Sequence, residues 1–279
     1  MPSLAEKRST FRKLHASGCF VIPNPWDIGT ARYLQHLGFK ALASTSAGFA
    51  FAQGRADYAV PLEAMLAHLA ELVQATDLPL NADFENGYAH EPEGVAQNVR
   101  RCVETGVAGL SIEDSTGDKA NPLYEVGHAV ERVKAARAAI DATGGDVMLV
   151  ARAECFLVGR PDLDDTIRRL KAYAAAGADC LYAPGLRTRE LIEAVVKAAG
   201  AKPVNVLIGG PYGFTVADLA ALGVRRISIG GALSRAAWGG FMRAAKQLAS
   251  EGRFDALADA APHPELNNFF REDLAKRMP

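Results

Sequence analysis

The sequence predicts an α/β protein of the (β/α)8 barrel type, and three observations carry that prediction. A short apolar run followed by an amphipathic stretch recurs about every thirty residues. The runs are nearly continuous in apolar residues, as expected of parallel strands covered by helices. Gly38, Gly106, Gly177 and Gly223 each follow a helical stretch and precede a strand, where a left-handed cap is wanted. Eight such units in roughly 230 residues fit a closed barrel better than an open doubly wound sheet. Periodicity alone does not show closure, so the open sheet stands as the alternative.

In chain order the strand candidates begin with CFVIPN (19–24), ALAST (41–45), LPLNADF (78–84) and GLSIED (109–114). They continue with VMLVARA (147–153), CLYAP (180–184), PVNVLI (203–208) and RRISIG (225–230). Helix-like segments alternate with them near 27–37, 61–75, 92–105, 128–141, 164–176, 188–199, 215–222 and 232–250. Pro92 suits a helix start, because a first-turn residue needs no amide donor. AAGAD and ETGVAG read as helix-to-strand turns. No linker-like shift in composition divides the chain, so residues 1–279 read as a single barrel domain. Residues 253–279, with NNFF at 267–270, exceed what eight units need. They read as a C-terminal helical extension, either packed on a neighbouring subunit or capping the barrel.

Composition narrows the function. Hydrophobic residues make up 49% of the 279, enough for a large core without disulfides. The net charge is −1, with acids and bases mixed along the chain, which argues against nucleic-acid and membrane partners. Cys19, Cys102, Cys155 and Cys180 are scattered and form no CxxC pair, so structural zinc and a disulfide framework are not expected. The N-terminus lacks the apolar core of a signal peptide, and no apolar run approaches the roughly 18 residues of a membrane span. The expectation is a soluble, cytoplasmic protein.

Chemistry in such a barrel sits where the strands end, and several strands end in groups a core would reject. Strand two ends Ser44-Thr45-Ser46, and strand three ends in Asn81, Asp83 and Glu85. Strand four ends Glu113-Asp114, strand five contains Arg152, strand seven contains Asn205, and Asp57 lies in the loop after strand two. Buried carboxylates are costly unless paired, hydrogen-bonded or metal-bound. Converging acids with one obvious cation, Arg152, would take up protons unless a divalent ion neutralised them. Oxygen donors without clustered histidine or cysteine select magnesium or manganese. Taken singly, each group has a plainer role. Glu113-Asp114 can cap a helix, Arg152 can be an internal counter-ion, and the Ser44–Ser46 run can satisfy a turn.

In order along the chain, PNPWDIGTARYLQHLGFKALASTSAG, GRAD, NADFENGYAH, GVAGLSIED, ARAE, AYAAAGAD and GVRRISIGGALSRAA resemble the isocitrate lyase/phosphoenolpyruvate mutase superfamily. The resemblance runs from about residue 20 to 248. It implies a magnesium-dependent barrel whose members make or break a bond at C3 of a pyruvate unit through a metal-bound enolate. It also implies a homo-oligomer, tetramer or dimer, with a last helix exchanged between neighbours. By position, Asp83, Glu113 and Asp57 correspond to acids that hold magnesium directly or through water. Arg152 corresponds to the arginine that clamps the substrate, Ser44, Thr45 and Ser46 to the loop that grips its carboxylate, and Asn205 to a polar contact across the pocket.

Two departures bear on the reaction. The family's Asp-x-Asp at strand three here reads Asn81-x-Asp83, so Asn81 would ligate the metal through its side-chain carbonyl without bringing charge, and Glu85 is the compensating acid, as a ligand or through water. Isocitrate and methylisocitrate lyases carry Lys-Lys-Cys-Gly-His after strand four, whereas this loop, STGDKANPLYEVGH (115–128), has no cysteine. The expected activity is therefore decarboxylation of a small 2-oxo dicarboxylate of the oxaloacetate type, which needs no thiol. The alternatives are a carbon–carbon lyase on a substituted malate, phosphorus–carbon chemistry suggested by Lys119-Ala120-Asn121, and a non-catalytic 2-oxo-acid-binding protein.

Overall fold

A computed structural model describes residues 2–277. Eight parallel strands form the sheet: β1 (Phe20–Ile22), β2 (Leu42–Ala43), β3 (Leu80–Asp83), β4 (Gly109–Glu113), β5 (Met148–Arg152), β6 (Cys180–Tyr182), β7 (Val204–Leu207) and β8 (Arg226–Ser228). Their order is β1-β8-β7-β6-β5-β4-β3-β2, parallel throughout. The two ends meet, because the Ala43 amide donates to the Pro23 carbonyl at 3.0 Å. Asn24 reinforces this seam. Its amide nitrogen donates to Ser44 O at 2.9 Å, and its Oδ1 accepts from the amides of Ile229 at 3.0 Å and Gly230 at 2.9 Å. The closed barrel expected from the sequence is therefore present.

Each expected strand lies within its predicted range, shortened to the residues that pair. Helices α2 (Ile28–His36), α4 (Leu62–Ala75), α5 (Pro92–Glu104), α6 (Val126–Asp141), α7 (Leu163–Ala175), α8 (Arg189–Ala199), α9 (Val216–Ala221) and α10 (Ala232–Glu251) match the expected segments. Gly106 and Gly177 close α5 and α7 at φ of 92° and 104°, a backbone that a side chain would oppose.

Two helices were not anticipated. The first, α1 (Leu4–Ala16), starts with a Ser3–Glu6 capping box and buries Phe11 among Ile22, Ala41, Ala43, Ala108 and Met148. Phe11 thus plugs the barrel end opposite the strand C-termini. The second, α3 (Ser46–Ala52), is capped by Thr45, whose Oγ1 accepts from the Gly48 amide at 3.2 Å. Its seven residues are too few for periodicity to register.

By its internal contacts the chain divides into a unit ending at Gly231 and a second starting at Ala232. The second unit comprises α10, a short turn at Asp255–Leu257 and α11 (His263–Arg277). Phe241 and Phe254 are exposed in it. All four cysteines are free, and no helix among the described residues is long and apolar enough to cross a membrane.

The core carries two buried histidines with a consequence for stability. His68 stacks on Phe49 with ring centroids 3.8 Å apart, and burial lowers its pKa to about 4. Burial, with repulsion from Arg226, takes His15 to about 3. The unfolded chain binds these protons near pH 6.5 and the fold does not. Stability is thus complete above about pH 6.5 and falls as the pH drops toward 4. His68 alone should cost about 2 kcal/mol by pH 5. Thermal unfolding of His68→Phe, which keeps the stack, is expected to show a shallower pH dependence than wild type. An unchanged slope would exclude His68 as the responsible group.

Candidate active site

Parallel register aligns the polar residues. Glu113 pairs with Arg152, Arg152 with Tyr182, and Tyr182 with Asn205 across β4 to β7. Paired residues share one face of the sheet, here the barrel interior. Asp83 pairs with Ser111 on the same face.

Arg152 is the hub. Its Nη1 lies 2.8 Å from Asp83 Oδ1 and 3.0 Å from Glu113 Oε2, and its Nε lies 2.8 Å from Glu154 Oε1. The Tyr182 ring lies 5.0 Å from its guanidinium carbon. Asp83 Oδ2 accepts from the amide of Ser46 at 2.9 Å and from its hydroxyl at 3.0 Å, while the Asp83 amide donates to Ser44 Oγ at 2.8 Å. The Ser46 hydroxyl also lies 3.4 Å from Asp57 Oδ1. Tyr58, at φ 63°, donates its hydroxyl to Glu113 Oε1.

Behind this hub, Asp114 forms a buried anchor. Its Oδ1 accepts from the Glu154 amide at 2.8 Å, and its Oδ2 accepts from Arg169 Nη1 at 3.1 Å and from the Tyr173 hydroxyl. The two acids of the Glu113-Asp114 pair thus part company. Glu113 faces the hub, and Asp114 holds the next strand end in place.

Excess negative charge defines the electrostatics. Burial and the nearby Asp83 raise the pKa of Asp57. Burial raises Glu113 well above the usual carboxylate range despite Arg152, and raises Glu154 likewise. Burial works to lower Arg152, but Glu113, Glu154 and Asp83 outweigh it and hold the guanidinium firmly charged. Glu85, strained at φ 47°, is pushed up to about 8 by burial and by Asp83 and Asp57. Its Oε1 is buried without a hydrogen-bond partner.

A hard divalent cation suits this donor chemistry: oxygen ligands only, acids in excess of cations, and an orphaned carboxylate oxygen on Glu85. As the side chains stand, no three acidic, histidine or cysteine groups among the described residues form a ready-made metal site. Arg152 lies between Asp83 and Glu113, so a cation there competes with it for those two acids.

Two cavities open on the hub. An inner one of about 150 Å³ is lined by Ser44, Thr45, Ser46, Asp57, Asn81, Asp83 and Arg152 among others. An outer one of about 620 Å³ shares Ser46, Asp57 and Arg152, and adds Tyr58, Glu113, Lys119, Glu154 and Leu157. Of the residues singled out in the sequence, Glu85 and Asn205 stand apart, as does the buried Asp114. Glu85 lines neither cavity, and Asn205 lies behind the inner one, donating to Ser228 Oγ at 2.9 Å. Asn81 turns its Oδ1 to Arg226 and its Nδ2 to the Ala82 carbonyl. Tyr58, Asn24 and Arg226 were not singled out, and Glu154 was marked only as the end of the ARAE run (151–154). Arg226 had a legible signal, a charged residue within an apolar strand.

Comparison with known proteins agrees with this architecture. Residues 11–249 match the family model described as phosphoenolpyruvate phosphomutase. A Burkholderia cenocepacia J2315 structure, provisionally described as a lyase/mutase, is 49% identical, with a TM-score of 0.92 over 96% of this chain and 97% of that one. An oxaloacetate decarboxylase of Bradyrhizobium diazoefficiens is 30% identical over 95% of this chain and 89% of its own. An oxaloacetate acetylhydrolase structure with the product oxalate is 26% identical, with a TM-score of 0.85 over 98% of this chain and 96% of that one. The chain therefore belongs to the phosphoenolpyruvate phosphomutase family and is an enzyme of the isocitrate lyase/PEP mutase superfamily.

Proposed function

We propose that this enzyme decarboxylates a small 2-oxo dicarboxylate of the oxaloacetate type. The observation that carries the reading is Arg152, a permanently charged guanidinium held by three acids at the mouth of a cavity of about 150 Å³. Oxaloacetate decarboxylase and acetylhydrolase relatives support the substrate class.

Loss of carbon dioxide breaks the C3–C4 bond, and its electron pair moves into C2–C3 while charge collects on the oxo oxygen. Arg152 stabilises that oxygen with preorganised N–H donors, worth a few kcal/mol in a site shielded from water. Glu154 fixes the Nε side of the guanidinium, and Asp114 fixes Glu154 through its amide. Ser44, whose Oγ accepts from the Asp83 amide, keeps its hydroxyl proton to donate to a carboxylate oxygen at the β2 end, while both Ser46 donors serve Asp83. Water protonates C3, which accords with a loop free of cysteine. Asp83, Glu113, Asp57 and Glu85 are the residues that would hold magnesium or manganese. Such an ion supplies Lewis-acid charge for the 2-oxo group.

The test is release of pyruvate from oxaloacetate by the purified protein, with magnesium or with EDTA, after subtracting metal-catalysed decay measured without enzyme. Release above background that EDTA abolishes is the expected result. No excess over background would sink the substrate assignment. The outer cavity favours a second reading, cleavage of a longer, substituted malate, because Lys119 and Leu157 line added space next to Arg152. A panel of substituted malates, run with phosphonopyruvate as control, separates the two.

A further inference from the structure

The side chains of the loop after β2 offer few donors to a carboxylate. Ser46 gives both its amide and its hydroxyl to Asp83, and the Thr45 hydroxyl oxygen caps α3. A carboxylate presents about four acceptor sites, more than the Ser44 proton fills. Asn24 stands beside Ser44 and lines the same inner cavity. It is 5% exposed. It follows β1, which meets the β2 end across the closed seam of the barrel.

The partners of Asn24 fix which way its amide faces. Oδ1 accepts from two backbone amides, those of Ile229 at 3.0 Å and Gly230 at 2.9 Å, a task the nitrogen cannot perform. The nitrogen therefore points the other way, where one of its two hydrogens goes to the Ser44 carbonyl at 2.9 Å. Among the described residues no group takes the second hydrogen. Pro23 and Pro25 flank the residue, and a residue before proline is held extended, so the amide is in place before any ligand arrives. The seam uses the oxygen and one hydrogen; the second hydrogen is surplus to it.

A buried N–H left without a partner is costly, so one at a cavity wall calls for an acceptor that arrives with the ligand. An amide nitrogen only donates, and this one adjoins the residue whose hydroxyl proton is also free. Two neutral donors side by side suit the oxygens of one carboxylate. The strand order sets β1 and β5 on opposite sides of the barrel. Arg152 therefore reaches a bound 2-oxo acid from one side, while Asn24 and Ser44 meet it from the other.

We propose that Asn24 is a specificity residue of the carboxylate subsite at the β2 end, its second Nδ2 hydrogen taking a carboxylate oxygen of the 2-oxo acid beside Ser44. This rests on the 2-oxo-acid reading of the site, but its test does not require turnover. Calorimetry with saturating magnesium gives dissociation constants for pyruvate and for pyruvamide, its neutral counterpart of like shape, on wild type, Asn24→Asp and Asn24→Ala. Wild type should prefer pyruvate by about tenfold or more, the scale of one hydrogen bond to a charged group. Asn24→Asp keeps an oxygen for the Ile229 and Gly230 amides but puts an acceptor and a charge where the donor was. It should weaken pyruvate by about tenfold or more. Pyruvamide, whose NH2 can donate to that carboxylate, should stay within about threefold, so the two ligands become level or change order. Asn24→Ala should narrow the preference without reversing it. A role confined to the seam would weaken both ligands alike. That result, or a preference kept in Asn24→Asp, would overturn the proposal while leaving the 2-oxo-acid reading in place. A wild type that binds neither ligand removes that reading and the subsite with it. A reversed preference in a protein that fails to turn over oxaloacetate supports the subsite while removing the decarboxylase reading. Thermal unfolding shows which variants fold, and Asn24→Ala decides the matter if Asn24→Asp does not.

Discussion

Arg152→Ala is expected to lower kcat for oxaloacetate by about a thousandfold, the scale of removing a charged donor aimed at the developing oxyanion. The loss should appear in kcat as well as kcat/KM, because the oxo oxygen gains its charge only as the bond breaks. Arg152→Lys should recover little. A single ammonium cannot reproduce a fork that reaches Asp83 and Glu113 through Nη1 and Glu154 through Nε. Steady-state kinetics on both variants, with far-ultraviolet circular dichroism to verify folding, decides the matter. Activity within tenfold of wild type in Arg152→Ala would reduce Arg152 to an internal counter-ion and remove the basis of the proposed chemistry.

Removing Asp114 should give the largest loss of stability. It is 3% exposed and accepts hydrogen bonds from Arg169, Tyr173 and the Glu154 amide. Asp114→Ala leaves a buried guanidinium without that partner, a change that typically costs about 3–5 kcal/mol. For a chain of this size the melting temperature should fall by roughly 10 °C. Asp114→Asn keeps the shape and should cost less. Activity should fall in both, through Glu154 and then Arg152, and urea denaturation measures the stability directly. A melting temperature within about 2 °C of wild type in Asp114→Ala would show that the network contributes little.

Much of this was legible in the chain. Apolar runs every thirty residues or so yield a strand–helix alternation that local hydrogen bonding and burial impose wherever it occurs. Glycines at 106 and 177 end helices for a reason confined to their own backbone. The position of Arg152 within an apolar strand already marked it as a group needing acids. Less legible were α3, too short for its period to be read, and α1, whose Phe11 closes the barrel floor from the other end of the chain. The same limit applies to the acids. Glu113 and Asp114 are neighbours in sequence, yet one faces Arg152 and the other Arg169, because adjacent residues on a strand point to opposite sides.

Local pattern was therefore enough to specify a barrel of alternating strands and helices with an acid-rich rim. Which of those acids meet, and around what, depends on the register of strands far apart in the chain. The contacts of Asp83 with Arg152 and of Asn81 with Arg226 span 69 and 145 residues, distances over which no periodicity carries information. Closure of the sheet brings both guanidiniums to one cavity. Each is then balanced, or left unbalanced, by whichever neighbour the register supplies.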